Sequence, residues 1–172
     1  MGYSEIDKNA LITYKSNFDT NNETDIGDIT SLSSEVEIRK RLPNFDILFA
    51  GFPCQPFSLM GLKKGFEDTR GTLFFHIAEI LAVKEPSFFI LENVRGLQTH
   101  DDGKTLQRIM SILSQELNYS IEIKLMNSVD FGVPQVRRRL YILGSKNKNV
   151  LPELGLKDIT WKRKQRYQTT WH

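Results

Sequence analysis

The stretch Gly51-Phe52-Pro53-Cys54-Gln55-Pro56-Phe57-Ser58 limits what this chain can fold into more than any other. Pro53 and Pro56 fix φ on either side of the thiol, remove two backbone donors and exclude a helix through Cys54. Ahead of it, Asp46-Ile47-Leu48-Phe49-Ala50 is an apolar run of strand length rather than helix length. Behind it, residues 59–71 are polar and punctuated by Gly61, Gly65 and Gly71. The pattern predicts a strand over 46–52 that ends in a loop holding the only cysteine. The carboxyl end of such a strand is where open α/β sheets place their chemistry. A lone cysteine is also compatible with a small core hydrophobe. The flanking prolines and the loop behind them argue against that, because alanine would pack as well.

The rest of the chain alternates the two hydrophobic periods. Residues 2–5 read as a short strand ending at the acid Glu5. Asp7 then caps an amphipathic helix in which Ala10, Leu11, Tyr14 and Phe18 share a face. Residues 26–29 read as a brief extended piece closing on Thr30, and 33–42 as a weaker helix stopped by Pro43. A helix is predicted over 73–83, with Leu73, Phe74, Ile77 and Leu81 at helical spacing, and Pro86 ends it. Phe88-Phe89-Ile90-Leu91 is continuously apolar, the pattern of a strand buried on both faces. A helix over 103–117 follows, then an alternating strand over 120–127 and a last strand over 139–144. No helix separates those two strands, which predicts an antiparallel pair joined through residues 130–134. Strands alternating with helices predict an α/β protein with a mostly parallel sheet covered on both faces.

With 172 residues, 40% of them hydrophobic, the chain has enough apolar surface for one core. A single cysteine excludes an internal disulfide and fits a cytoplasmic location. No apolar run approaches membrane-spanning length, and the first residues lack the basic start of a signal peptide. The histidines His76, His100 and His172 do not cluster with other ligands, so no metal is expected; the first two read as helix or loop surface. Of 23 basic and 21 acidic residues, five basic and one acidic lie in 157–172. That leaves 18 against 20 in the body, so the basicity sits in a tail, 151–172, behind a main unit of 1–150. Trp161-Lys162-Arg163-Lys164-Gln165-Arg166-Tyr167 in that tail has the mixture of cations and aromatics that suits nucleic acid.

Residues 51–58 resemble the catalytic motif of the C5-cytosine DNA methyltransferases. Three further blocks resemble that family in the same order. Gly65-Phe66-Glu67-Asp68-Thr69-Arg70-Gly71-Thr72-Leu73-Phe74-Phe75 is similar to the end of its catalytic loop and the next helix. Glu92-Asn93-Val94 is similar to its ENV motif, and Gln135-Val136-Arg137-Arg138-Arg139 to its Q-x-R-x-R motif. The resemblance covers most of residues 2–145. It implies a Rossmann-like S-adenosylmethionine-dependent methyltransferase fold with an antiparallel last strand, and transfer of a methyl group to carbon 5 of cytosine in double-stranded DNA, typically within restriction-modification. It implies Cys54 as the nucleophile, Glu92 as the acid at the base, and Arg137 and Arg139 at the pocket. Strand period 2 independently puts Arg137 and Arg139 on one face and Arg138 on the other.

By the same resemblance, Glu5, Ile6, Asp28, Ile29, Phe52, Pro53 and Leu73 would hold the donor. Gln55, Ser58, Lys63, Lys64 and Arg70 would lie on a loop that closes over DNA, with Gly61, Gly65 and Gly71 as hinges. Ile6 stands where many members carry an aromatic residue, so stacking on adenine would be weaker. Family members begin with a strand and a glycine-rich turn ahead of the strand seen here at 2–5, and continue into a target-recognition region. The expectation is a partial catalytic unit with an incomplete sheet, whose tail opens the recognition region and which a complementing methyltransferase segment would complete. Methylation of transfer RNA, and an inactive nucleic-acid- or partner-binding remnant, stand as alternatives.

Overall fold

In the computed structural model, the structure describes residues 1–53 and 73–153. Cys54, Gln55, Ser58, Lys63, Lys64, Arg70, the proposed hinge glycines and the tail from 154 onward lie outside the described residues.

The chain begins with β1 (Gly2–Tyr3) and α1 (Lys8–Asn17), and the Asp7 side chain accepts from the Asn9 and Ala10 amides as the helix cap. β2 (Thr24–Asp25) pairs in parallel with β1, register Gly2↔Thr24. Of the predicted shared face of α1, Leu11 and Tyr14 are partly buried, but Ala10 is exposed and Phe18 is 59% exposed.

The extended piece expected at 26–29 is instead a turn. Gly27 takes a left-handed φ of 67°, and Asp28 caps a 3-10 turn, Ile29–Ser31. Its carboxylate accepts from both the amide and the hydroxyl of Thr30, a local closure that outcompetes extension. Ser34 caps α2 (Glu35–Arg41), whose acids Glu35 and Glu37 stand in the first turn and whose cations Arg39, Lys40 and Arg41 stand in the last.

β3 (Ile47–Gly51) and β4 (Phe88–Val94) flank α3 (Leu73–Lys84) in sequence and pair in parallel, register Ile47↔Phe88 to Gly51↔Glu92. The predicted 103–117 helix is α4 (Lys104–Ser111), running into a π turn, Ile112–Glu116. β5 (Ser120–Asn127) and β6 (Arg138–Ser145) form the expected antiparallel pair, and the short α5 (Val150–Glu153) follows. The order β3-β4-β6-β5 makes a mixed sheet, with β6 antiparallel to both neighbours, while β1 and β2 form a second, two-stranded sheet.

The main core joins one face of the larger sheet (Phe89, Leu91, Leu140, Ile142) to Phe74, Ile77, Ala78 and Leu81 of α3 and to Ile109, Ile112 and Leu113 of α4 and its π turn. A smaller cluster joins Leu32, Ile38, Leu42 and Ile80, and Ile29 and Leu48 pack against both. Each fully buried Leu, Ile or Phe contributes about 1.5–3 kcal/mol.

The sheet is covered more on one face than on the other, which corrects the expectation for residues 88–91. Phe89, Leu91 and Asn93 are buried, whereas Phe88, Ile90 and Glu92 are partly exposed. On the neighbouring strand Ile47 is 43% and Phe49 67% exposed. A continuous apolar run states that both faces of a strand are apolar, not that both are covered.

Candidate active site

Three strands meet at the carboxyl end of β4. Parallel β3 ends with Gly51 opposite Glu92, and the pairing of antiparallel β6 with β4 starts at Arg139 opposite Val94. Opposed residues share a face, so Glu92 and Arg139 are diagonal neighbours on one side of the sheet. The Arg139 Nε donates to Glu92 Oε1 across 2.7 Å, and Arg137 Nη2 stands 4.0 Å from the same oxygen. Arg138, opposite Asn127, lends only its carbonyl, which accepts from Arg139 Nη1 at 3.0 Å. Arg137 itself is placed by its backbone, whose amide donates to Ser128 Oγ at 3.1 Å. The Arg139 and Glu92 side chains are 22% and 33% exposed. Pairs this wet add about 1 kcal/mol or less to stability. What the arrangement supplies is a carboxylate oriented by two guanidinium groups, with Arg137 half in solvent.

Asn93 is buried to 1% exposure and links this carboxylate to the strand next door. Its Nδ2 donates to the Phe52 carbonyl at 2.8 Å, and its Oδ1 accepts from the Val94 amide at 2.8 Å. The Phe52 amide in turn reaches the Glu92 carbonyl at 3.4 Å. The backbone two residues ahead of Cys54 is thus tied to the backbone of Glu92. In the sequence Asn93 stands only as the companion of Glu92. A polar residue at a buried-face position of an apolar strand was the available signal.

A second cluster lies where β1 and β2 end side by side. Ser4 Oγ donates to the Gly27 carbonyl at 2.6 Å, which brings the segments of Glu5 and Asp28 together. Glu5 Oε1 accepts from the Ile6 and Asp7 amides, at 2.8 Å each, and Ile6 is 73% exposed. Asp28 spends Oδ1 on Thr30, while Oδ2 has no partner among the described residues. The Thr30 amide, then the Thr30 hydroxyl and the field of His76, hold the Asp28 carboxyl below its ordinary range. Ile29 and Leu73 pack against the cluster that contains Phe52, whose ring lies 5.5 Å from that of Phe74, and Pro53 is exposed. The structure therefore gathers the sequence-derived residues into two groups, Glu92 with Arg137 and Arg139, and Glu5 with Asp28. Phe52 belongs to the main core, and Ile29 packs against it.

His76 is not the surface residue expected. Its side chain is 11% exposed, and Nδ1 is buried without a hydrogen bond among the described residues, 3.9 Å from Glu79. His100 pairs with Thr105 Oγ1 at 2.7 Å. Among the described residues no three His, Cys, Asp or Glu side chains gather as metal ligands, and no helix is long and apolar enough to cross a membrane.

Comparison with known proteins shows the family. A family model described as C-5 cytosine-specific DNA methylase matches residues 1–171. The chain is 44% identical to the orphan methyltransferase M.SPRI of Bacillus phage SPR, over 96% of this chain and 38% of that protein. It is 53% identical to the Type II methyltransferase M.BanI of Aneurinibacillus aneurinilyticus, over 82% of this chain and 30% of that one. Among solved structures, a putative DNA modification methyltransferase from an Escherichia coli prophage superposes with a TM-score of 0.63 at 26% identity, covering 84% of this chain and 39% of that one. A DNMT2 variant of Spodoptera frugiperda gives 0.62 at 26% identity, over 97% and 45%. The chain spans less than half the length of each of these relatives.

Proposed function

Because this chain belongs to the C-5 cytosine-specific DNA methylases, we propose that it supplies the catalytic part of an enzyme that methylates carbon 5 of cytosine in double-stranded DNA, within restriction-modification. The observation that carries this reading is Glu92, held 2.7 Å from Arg139, on a strand whose next residue grips the backbone leading to Cys54.

Carbon 5 of cytosine is a weak nucleophile until a soft nucleophile adds at carbon 6. The Cys54 thiolate forms that bond and gives an enamine-like ring; once carbon 5 carries the methyl group, its proton passes to water and the thiolate is expelled. Free cysteine titrates near ~8.5, so the site must favour the thiolate or take its proton during attack. Glu92 hydrogen-bonds ring nitrogen 3 and the exocyclic amine, which makes the addition feasible and selects cytosine over thymine. Arg139 and Arg137 orient that carboxyl group and reach the base oxygen and target phosphate. Their contacts offset the few kcal/mol needed to flip the base out of the duplex. Gln55, Ser58, Lys63, Lys64 and Arg70 contact the DNA around it.

S-adenosylmethionine, when bound, supplies an electrophilic sulfonium methyl group. The residues present fit it: Asp28 has a carboxylate oxygen unpartnered among the described residues for the adenine amine, Glu5 is an acid just past a strand end for ribose hydroxyls, and Ile6 and Ile29 are apolar flanks. Phe52, Pro53 and Leu73 line the methionine end.

One edge of β3 is unpaired among the described residues, which supports a further partner. Among the described residues β3 pairs only with β4, while β1 and β2 stand as a separate parallel pair. A complementing stretch of methyltransferase polypeptide, continuous with this chain or separate from it, would place a strand between them and cover Phe49.

The test is tritium transfer from labelled S-adenosylmethionine, using the chain supplied with complementing segments of a relative. Label in the 5-methylcytosine of duplex DNA, lost in Cys54→Ser, is expected. Label in transfer RNA alone would replace the DNA reading by an RNA one. No transfer to either would leave a binding remnant.

A further inference from the structure

We propose that Arg41 is a positioning residue for Asp28, setting the shape of the 26–31 loop that receives the donor; the functional half of this rests on the donor reading of Asp28 above. Three cations close α2, and the general explanation for them is the negative end of the helix dipole. Arg41 does something more specific. Its Nη1 donates to Ser31 Oγ at 2.7 Å, and its Nη2 donates to the Ile26 carbonyl at 2.8 Å. One guanidinium therefore bridges both ends of the loop, with Gly27, Asp28, Ile29 and Thr30 between its two grips. The Ser31 hydroxyl passes the restraint on, donating to the Asp28 carbonyl at 2.6 Å, while the Ser31 amide donates to the same oxygen at 3.1 Å.

The loop needs such a restraint. Gly27 stands at φ 67° with no atom within 4 Å of where a Cβ would be, so packing does not hold the backbone there. Asp28 itself is exposed. Ile26 and Ile29 anchor the loop as partly buried neighbours of the smaller core cluster, and on its β2 side the Gly27 amide donates to Asp25 Oδ1 and the Gly27 carbonyl accepts from Ser4 Oγ. Arg41 forms no ion pair with a carboxylate among the described residues, so its planar fork is spent on neutral acceptors in this loop. A dipole partner could equally be lysine. The two acceptors here are met by two separate nitrogens of one planar group, Nη1 and Nη2, which a single ammonium nitrogen does not offer.

The experiment compares Arg41→Gln and Arg41→Lys with the parent chain. Amide hydrogen exchange at Thr30 and Ser31 is read against Leu42, whose amide bonds the Ile38 carbonyl within the same helical segment. Both variants should exchange about tenfold or more faster at Thr30 and Ser31, with a smaller change at Leu42, as expected for a lost charge-assisted bond. In the complemented assembly, Arg41→Gln should weaken S-adenosylmethionine binding about three- to tenfold, and should add nothing once Asp28→Asn is present. Unchanged exchange at Thr30 and Ser31, or a parent-like Arg41→Lys, overturns the proposal. A parent-like Kd for Asp28→Asn overturns the donor reading itself. A weakened Asp28→Asn beside a parent-like Arg41→Gln overturns only the role given to Arg41.

Discussion

Replacing Asn93 should damage both stability and the register of the active site, and the structure gives the size of the first effect. The side chain is buried to 1% and makes two bonds of 2.8 Å, one to the Phe52 carbonyl and one from the Val94 amide. Asn93→Ala leaves the Phe52 acceptor buried without a donor, worth about 1–3 kcal/mol, and removes a part-buried acceptor from Val94, worth about 0.5–1.5 kcal/mol. The expected loss is about 2–4 kcal/mol, a large share of the roughly 5–15 kcal/mol typical of a domain. Asn93→Asp tests the donor separately. At neutral pH it sets an ionised carboxylate against the Phe52 carbonyl, and burial and that carbonyl both raise its folded pKa above an unfolded value near ~3.9. The folded state then takes up the proton first, so stability should rise as pH falls through the raised value and level off below about pH 4. The protonated acid can donate to Phe52. Urea unfolding followed by circular dichroism across pH measures both variants. An Asn93→Ala protein within about 0.5 kcal/mol of the parent would refute the reasoning, since that is the range of surface substitutions. So would an Asn93→Asp protein whose pH profile matches the parent's.

Three further outcomes are expected. In the complemented assembly Glu92→Gln should slow methyl transfer by about 10²-fold or more with near-parental DNA affinity, and Arg137→Ala and Arg139→Ala should impair base flipping, read by 2-aminopurine fluorescence, more than Arg138→Ala; equal effects at all three would mean a generic phosphate patch. Gly144→Ala should destabilise by about 1–3 kcal/mol or more, because a Cβ there would sit 2.1 Å from the Phe89 ring, and Phe89→Leu should recover part of the loss in thermal unfolding. Burial, and then the charge of Glu85, raise the Tyr119 phenol, whose hydroxyl donates to the Pro86 carbonyl at 2.8 Å. The unfolded phenol therefore ionises first, so stability should fall as pH rises beyond about 10, and Tyr119→Phe should flatten that alkaline slope in urea unfolding.

Much of the larger sheet was legible because its signals are local. Pro86 and the apolar run behind it mark β4, and strict alternation marks β5. The missing helix between the last two strands marks their antiparallel pairing. Period 2 separates Arg138 from Arg137 and Arg139, but the Glu92–Arg139 contact was expected only from the resemblance to the family, because neither strand alone states the register between them. What failed depended on neighbours distant in sequence. The run 88–91 is apolar throughout, yet Phe88 and Ile90 lie on the less covered face. His76 sits among apolar residues of α3, and only the fold shows that its ring turns inward, near Asp28. Arg39, Lys40 and Arg41 look alike as helix-ending cations, and the one that reaches Ser31 and Ile26 is decided by how α2 lies over the loop. At 26–29 the signal is local, because Gly27-Asp28 followed by Thr30 is turn chemistry and outweighs the extended pattern.

The central claim is that Cys54 bonds to carbon 6 of a cytosine, and the direct measurement is covalent trapping. Duplex DNA bearing 5-fluorocytosine, incubated with S-adenosylmethionine and the complemented assembly, halts the reaction after methyl transfer because fluorine cannot leave as a proton does. The account predicts a denaturation-resistant protein–DNA adduct, mapped by mass spectrometry to Cys54 and absent in Cys54→Ser. An adduct formed at the parental rate by Cys54→Ser, or mapped to another residue, would contradict it.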